Sequence, residues 1–119
     1  MEAARDVEVF RAGPLEIWPD DALAMVQGRP LHLSVREFGV LVELVRRAGR
    51  VVAREELFSL VWGAEQRPGD RSVDVYVHKV RTKLEAAVPE WSFIHTHVGF
   101  GYRFSSEPSH AFHTPATGR

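Results

Sequence analysis

The sequence has no cysteine among its 119 residues. This absence excludes a disulfide scaffold, a zinc–thiolate site and thiol chemistry. The sequence also lacks any apolar run close to the roughly 18 residues that a membrane-spanning helix requires. The N-terminal segment MEAARDVEVF has neither the basic nor the apolar region of a secretory signal peptide. We therefore expect a cytoplasmic chain without membrane segments.

Excess charge of one sign is absent as well. The net charge is −1, from 15 basic and 16 acidic residues, whereas nucleic-acid-binding domains are often strongly basic. The charge is nevertheless uneven, since residues 1–65 sum to −3 (eight Arg, eleven Asp or Glu) and residues 66–104 sum to +2 (six basic, four acidic). A binding face needs only local positive potential, so the second segment is where we expect one.

A hydrophobic content of 45 % is typical of a single domain with one core. The last segment, SSEPSHAFHTPATGR, shows no hydrophobic periodicity and is predicted to be a disordered tail. We therefore expect an N-terminal extension over residues 1–6, one domain over residues 7–104 and the tail over residues 105–119.

Short segments of alternating polarity open the chain and predict a four-stranded antiparallel sheet with one buried face. Turns rich in Gly, Pro and Asp separate the strands, the first turn being residues 11–14. The predicted strands are residues 7–10, 15–18, 22–26 and 29–33.

Two helices are predicted to follow this sheet. The first begins after Ser34, because Ser34 and Glu37 have the spacing of a capping box, and it ends near Ala48. The second spans about residues 54–61 and has Ala53 at its cap position, which offers no side-chain acceptor. Trp62, at the end of the second helix, is expected to be packed.

The third predicted helix begins near Asp70, as its N-cap, and ends near Ala87, before a proline. Residues 93–98 and 102–104 flank the sequence Gly99-Phe100-Gly101 and predict a β-hairpin after this helix. A hairpin in this position is the wing of a winged-helix domain.

The third helix has two contrasting faces at about 100° per residue. Its buried face is predicted to consist of Val73, Val77, Val80 and Leu84. The opposite face and its flanks mix cationic, hydroxyl, aromatic and small apolar residues, namely Arg71, Ser72, Val75, Tyr76, His78, Lys79, Arg81 and Thr82.

These residue types suit a DNA major groove. Arg71 has the donors for a bidentate contact with guanine, and Val75 has the size to meet a thymine methyl group. Lys79 and Arg81 are better placed for phosphates. Asp74, which has no paired acid, is expected to pair along the helix surface rather than to act in catalysis.

The chain resembles the C-terminal effector domain of OmpR/PhoB-type response regulators over residues 7–104. The resemblance rests on an ordered set of segments: LSVREF at 33–38, VAREEL at 52–57, VWG at 61–63, DRSVDV at 70–75, KVR at 79–81, KL at 83–84 and GFGYRF at 99–104. It implies an α+β winged helix-turn-helix with an N-terminal four-stranded antiparallel sheet, three helices and a C-terminal hairpin wing.

The resemblance also implies a function in bacterial transcription regulation within two-component (phosphorelay) systems. In such domains the third helix enters the major groove of double-stranded DNA, here residues 70–87, and the loop over residues 62–70 contacts RNA polymerase. A dimer on DNA is the expected assembly. Thr96 and His97 are the expected contacts of the wing.

Three positions depart from the family, one of them Ala53, which replaces the usual Ser cap of the second helix. Wings of this family commonly carry an Arg two residues after the strand threonine, where it enters the negative, narrow minor groove; counted from Thr96, this chain has Val98. Val98 either faces the groove or packs inward, and the neighbouring His97 is only a partial substitute. His78 stands where an Arg is frequent.

Other functions are less well supported. His95 and His97 alternate on one strand, but no cysteine or nearby carboxylate completes a metal site, and His110 and His113 fall in the tail. Gly99-Phe100-Gly101 lacks the third glycine of a nucleotide-binding loop. We expect no metal, no cofactor and no enzymatic activity. The remaining alternative is a winged-helix module that binds protein through its third helix and does not bind DNA.

Overall fold

The structure, a computed structural model, describes residues 7–109. An antiparallel sheet comes first, with its strands in sequence order. Its strands are β1 (Phe10–Ala12), β2 (Leu15–Trp18), β3 (Leu23–Val26) and β4 (Arg29–Pro30). The predicted four-stranded sheet is confirmed.

Two boundaries of this sheet differ from the prediction. β1 lies three residues later than predicted, because the first turn is tighter: Arg11 pairs with Glu16 and Ala12 with Leu15, so only Gly13 and Pro14 turn the chain. β4 was predicted to reach residue 33 but ends at Pro30; beyond it the Leu31 amide still donates to the carbonyl oxygen of Ala24 at 2.7 Å.

Three helices follow: α1 (Val35–Arg46), α2 (Arg54–Trp62) and α3 (Ser72–Ala87). The capping box of α1 is confirmed, since the Glu37 amide donates to Ser34 Oγ at 3.2 Å and the Ser34 amide donates to Glu37 Oε1 at 2.8 Å. Ala53 lies at the N-cap of α2 without a side-chain hydrogen bond, as expected.

The start of α3 was predicted one residue too early. Arg71 occupies the N-cap position and makes no side-chain cap. Asp70, one position before the N-cap, provides a side-chain acceptor instead: its Oδ1 accepts a hydrogen bond from the Ser72 amide at 2.8 Å. The carboxylate still satisfies a free amide of the first turn, but it lies outside the helix.

A second antiparallel sheet contains the hairpin and one strand that the sequence analysis missed. Its strands are β5 (Val51–Val52), β6 (Trp91–His97) and β7 (Gly101–Pro108), in the order β5-β7-β6. β5 is two residues long, too short to show alternation. Gly101 pairs in β7 at φ +144°, and a Cβ there would lie 2.0 Å from the carbonyl oxygen of Val52. Only glycine lets β7 approach the residues that lead into α2 so closely.

The predicted disordered tail is wrong for its first four residues. β7 continues through residues 105–108, with Glu107 opposite Ser92 and Pro108 opposite Trp91. Backbone pairing holds this polar segment, so no hydrophobic periodicity marks it in the sequence. Residues 110–119, including His110 and His113, and residues 1–6 lie outside the described residues.

The core lies between the three helices and the two sheets. The predicted buried face of α3 is confirmed, with Val73, Val77, Val80 and Leu84 at most 2 % exposed. Glu37 is the one buried charged residue among residues 7–109, and Lys83 Nζ donates to its Oε1 at 2.7 Å. Burial alone would raise the pKa of Glu37, but the hydrogen bonds from Lys83 and Ser34 outweigh it and lower that pKa. This pair joins the start of α1 to α3.

None of the helices within residues 7–109 has the length and apolar character needed to cross a membrane.

Candidate nucleic-acid interface

The outward face of α3 is open to solvent along its length. The Arg71 side chain is 80 % exposed and Val75 is 46 % exposed. His78, Lys79 and Thr82 are also exposed. Because the four apolar residues of the opposite face pack into the core, these five exposed residues form a stripe of mixed cationic, hydroxyl and apolar groups.

Arg81, which is predicted to contact phosphates, is hydrogen-bonded to the wing. Its Nη1 donates to Thr96 Oγ1 at 2.8 Å and to the carbonyl oxygen of Ile94 at 3.2 Å, both on β6. The guanidinium also lies 5.8 Å from the ring of Tyr102 on β7. Two of the predicted contact residues, Arg81 and Thr96, thus bind each other and fix the wing against α3.

Asp74 joins three elements, whereas the sequence analysis expected it to pair along its own helix. Its Oδ1 accepts a 2.7 Å hydrogen bond from Arg54 Nε on α2 and another from the hydroxyl of Tyr102 on β7. The expected local pairing is present as well, since Arg71 Nε lies 3.5 Å from Oδ2. One carboxylate therefore positions α2, α3 and the wing relative to one another.

The protonation of this cluster follows from its surroundings. Burial alone would raise the pKa of Asp74, but the hydrogen bonds from Tyr102 and Arg54 and the charges of Arg54 and Arg71 lower it. Burial, and then the hydrogen bond to Asp74, raise the pKa of Tyr102. Asp74 is therefore ionised and Tyr102 is protonated at neutral pH.

The tip of the wing is apolar. Val98 is 86 % exposed and Phe100 is 75 % exposed, so Val98 does not pack inward. His97 is half-buried and its Nε2 accepts from Arg103 Nε at 3.0 Å. No cation therefore occupies the position where the family commonly places an arginine.

The two wing histidines have different partners. His95 Nε2 lies 2.8 Å from the carbonyl oxygen of Ser105, whereas His97 faces Arg103. Across residues 7–109 no group of three or more His, Asp or Glu side chains has the geometry to hold a metal ion.

Aromatic residues line the flank of α3 away from the wing. Trp62 is packed as expected: its ring stacks on Phe58 at 4.8 Å and meets the edge of Tyr76 at 5.6 Å. Tyr76, a predicted contact residue, is half-buried by this packing. Lys79 Nζ lies 4.8 Å from the centre of the Tyr76 ring.

The sequence analysis missed one cation on this flank. The guanidinium of Arg36, in the first turn of α1, lies 4.8 Å from the Trp62 ring. Its Nη1 is buried without a hydrogen-bond partner. No local pattern marks Arg36, because only the packing of α1 against α2 brings it beside Trp62.

Residues 28–104 match the protein family described as "Transcriptional regulatory protein, C terminal". The chain is 33 % identical over 102 residues to the sensory transduction protein RegX3 of Mycolicibacterium smegmatis, which covers 86 % of this chain and 45 % of RegX3. It is 38 % identical over 94 residues to the transcriptional regulatory protein CreB of Escherichia coli, covering 79 % of this chain and 41 % of CreB. The chain therefore spans less than half the length of these relatives.

Solved structures show the same fold. The DNA-binding domain of RstA from Klebsiella pneumoniae, in complex with the RstA box, superposes with a TM-score of 0.74 at 33 % identity over 82 % of this chain and 97 % of that chain. The DNA-binding domain of CpxR from E. coli gives a TM-score of 0.75 at 28 % identity, over 82 % of this chain and 96 % of that chain.

The Asp74 cluster makes stability depend on pH in the acid range. Asp74→Asn should lower the free energy of unfolding near neutral pH by about 1–3 kcal/mol, since Arg54 and Tyr102 lose a charged acceptor. Because folding lowers the pKa of Asp74, its contribution is present above the unfolded value of about 3.9 and is lost as pH falls through the folded value. Urea unfolding of both proteins at about pH 7, 5 and 3 measures this difference.

The two stabilities should converge at the lowest pH. Tyr102→Phe removes one donor to the same carboxylate and should weaken the pH dependence without abolishing it. If the free energies of unfolding of the parent chain and of Asp74→Asn differ by the same amount at all three pH values, this account of the cluster is wrong.

Proposed function

The chain belongs to the OmpR/PhoB-type family of transcriptional regulatory protein C-terminal domains, and we infer that it binds double-stranded DNA sequence-specifically by placing α3 in the major groove. The observation that carries this proposal is the solvent-exposed stripe on α3 beside a wing anchored to the same helix. A helix of this diameter, about 10–12 Å, matches a major groove about 12 Å wide.

We assign different tasks to the residues of the stripe. Arg71, Val75, His78 and Thr82 lie along its centre and are proposed to contact base edges. Lys79 and Ser72, at its margin, are proposed to contact phosphates, which position the helix without conferring sequence preference. Two further residues are proposed to position α3: Tyr76, which packs against Trp62, and Arg81, which donates a hydrogen bond to Thr96. His97 is proposed to approach the backbone beside the wing.

The assembly on DNA is also a proposal. We propose that the domain binds as a dimer on two half-sites and that the loop over residues 62–70 contacts RNA polymerase, as the family resemblance implies. Residues 63–65 and 67–69 of this loop are exposed, which leaves it open to a partner. For the longer regulator of which such a domain forms part, we propose a place in a cytoplasmic two-component system.

The alternative, a module that binds protein through α3 and no DNA, has two arguments in its favour: the near-neutral total charge and the absence of the wing arginine at Val98. The α3 stripe argues against it, because the cores of protein interfaces are enriched in aromatic residues and depleted in Lys. Here the aromatic residues nearest to α3, Trp62 and Tyr76, are packed against the core.

Salt dependence distinguishes these two functions. Each phosphate contact contributes a slope of about −0.9 to the logarithm of the binding constant plotted against the logarithm of salt concentration, so several contacts should give roughly −3 or steeper. The measurement is a titration of labelled random-sequence duplex, and of a duplex selected from a random pool, at several salt concentrations. Absence of binding at low salt, or binding that salt does not weaken, would exclude the proposed function.

Arg71 and Lys79 should differ in their effect on sequence preference. Arg71→Ala should cost about 1–3 kcal/mol on the selected duplex and reduce its advantage over random duplex, because Arg71 lies near the N-terminus of α3 where base contacts concentrate. Lys79→Ala should weaken both duplexes by the same factor. The assignment is wrong if both variants keep the selected-to-random ratio of the parent chain.

Val98→Arg should strengthen DNA binding. The substitution adds a cation at an exposed wing tip, so it should not disturb the fold, and it should make the salt slope steeper by about one unit. The gain should be largest on A·T-rich flanks, where the minor groove is narrow and most negative. Thermal melting beside the titration checks the fold; a folded variant with no gain on any flank means that the wing does not touch DNA.

A further inference from the structure

Two cations and two aromatic rings form a continuous row along one flank of α3. The Arg36 guanidinium lies 4.8 Å from the Trp62 ring, Trp62 contacts Tyr76 edge-on at 5.6 Å, and Lys79 Nζ lies 4.8 Å from the Tyr76 ring. We call Arg36, Trp62, Tyr76 and Lys79 the cation–aromatic row. It connects α1, α2 and α3.

The row lies on the opposite side of α3 from the wing. At about 100° per residue, Tyr76 is separated from both Asp74 and Arg81 by more than about 130° around the helix axis. Asp74 and Arg81 are the α3 residues that bind the wing strands, through Tyr102 and Thr96. The exposed stripe of α3 is thus bordered by the wing on one side and by the row on the other.

The cations of the row are not neutralised by the protein. Within residues 7–109, Arg36 and Lys79 form no ion pair, whereas most of the basic residues on α1 and α2 do: Arg46 with Glu8, Arg47 with Glu43, Arg54 with Asp74. The Nη1 of Arg36 is moreover a buried donor with no acceptor. No protein group therefore competes for the donors of Arg36 among the described residues.

We propose that the cation–aromatic row is a second DNA-backbone site, in which Arg36 and Lys79 hold phosphates of the strand that borders α3 on the side away from the wing. This inference rests on the proposed entry of α3 into the major groove. A helix nearly fills that groove, so each of its flanks faces one of the two sugar–phosphate strands. The wing faces one strand and the row faces the other.

The rings explain why these two cations suit phosphates. A guanidinium stacked on an indole uses its face, and the N–H groups of Arg36 other than those of the buried Nη1 remain available in its plane to donate to phosphate oxygens. Stacking also restricts two long side chains before DNA binds, so less conformational entropy is lost on binding.

The test removes the charge of Arg36 and leaves its apolar stem over Trp62. Arg36→Met, in the full chain, should make the salt slope shallower by about 0.9 and weaken the selected and random duplexes by the same factor. Arg36→Lys retains the charge and should restore the slope. The matched control is Arg29→Met: Arg29 is exposed, forms no ion pair within residues 7–109 and lies beside the end of α3, so the slope should stay unchanged.

The outcomes separate this site from the proposed function. If the unaltered chain shows no salt-dependent binding, the function itself fails. If the unaltered chain binds steeply and Arg36→Met, shown to be folded by thermal melting, keeps the same slope, the row is not a phosphate site. A lowered melting temperature with an unchanged slope assigns Arg36 to packing alone and likewise overturns the proposal. Arg36→Gln takes the place of Arg36→Met if the latter does not fold.

Discussion

The carboxylate of Asp74 is the contact on which the arrangement of the binding surface depends. It accepts hydrogen bonds from Arg54 on α2 and from Tyr102 on β7, so the recognition helix, the helix before it and the wing share one anchor. These donors keep the carboxylate ionised despite its partial burial. Removal of that charge would leave a guanidinium and a hydroxyl with only a neutral acceptor at the junction of three elements.

The chain is nearly neutral overall but presents a cationic surface, because most cations of α1 and α2 are paired with carboxylates and those along one flank of this surface are not. Carboxylates neutralise Arg46 and Arg47 on α1 and Arg54 on α2, and the buried Glu37 neutralises Lys83. Arg81 is hydrogen-bonded to the wing instead. Within residues 7–109, the cations of α1 and α3 that have neither kind of partner, Arg36 and Lys79, lie along one flank of the recognition helix. Total charge is therefore a poor guide to this surface, and the distribution of ion pairs is a good one.

Local signals in the sequence were sufficient for every α-helix and for every strand except β5, and they failed at several element boundaries. The capping box at Ser34 and the apolar period of α3 are properties of neighbouring residues, and both predictions are confirmed. β5 and the last part of β7 were missed because backbone pairing with a distant strand holds them, and such pairing leaves no period in the sequence. The local pairing of Asp74 with Arg71 is present, but its two hydrogen-bond donors, 20 and 28 residues away, were missed for the same reason.

The sequence by itself determined the winged-helix fold, the family and the outward face of α3, since each depends on residues close together along the chain or on their order. The tertiary structure alone decided which residues of that face are free. It placed Arg81 against Thr96, packed Tyr76 against Trp62, exposed Val98 at the wing tip and brought Arg36 to the flank of α3. The physical reason is that the freedom of a charged or aromatic side chain depends on partners from other elements, which only folding brings within contact distance.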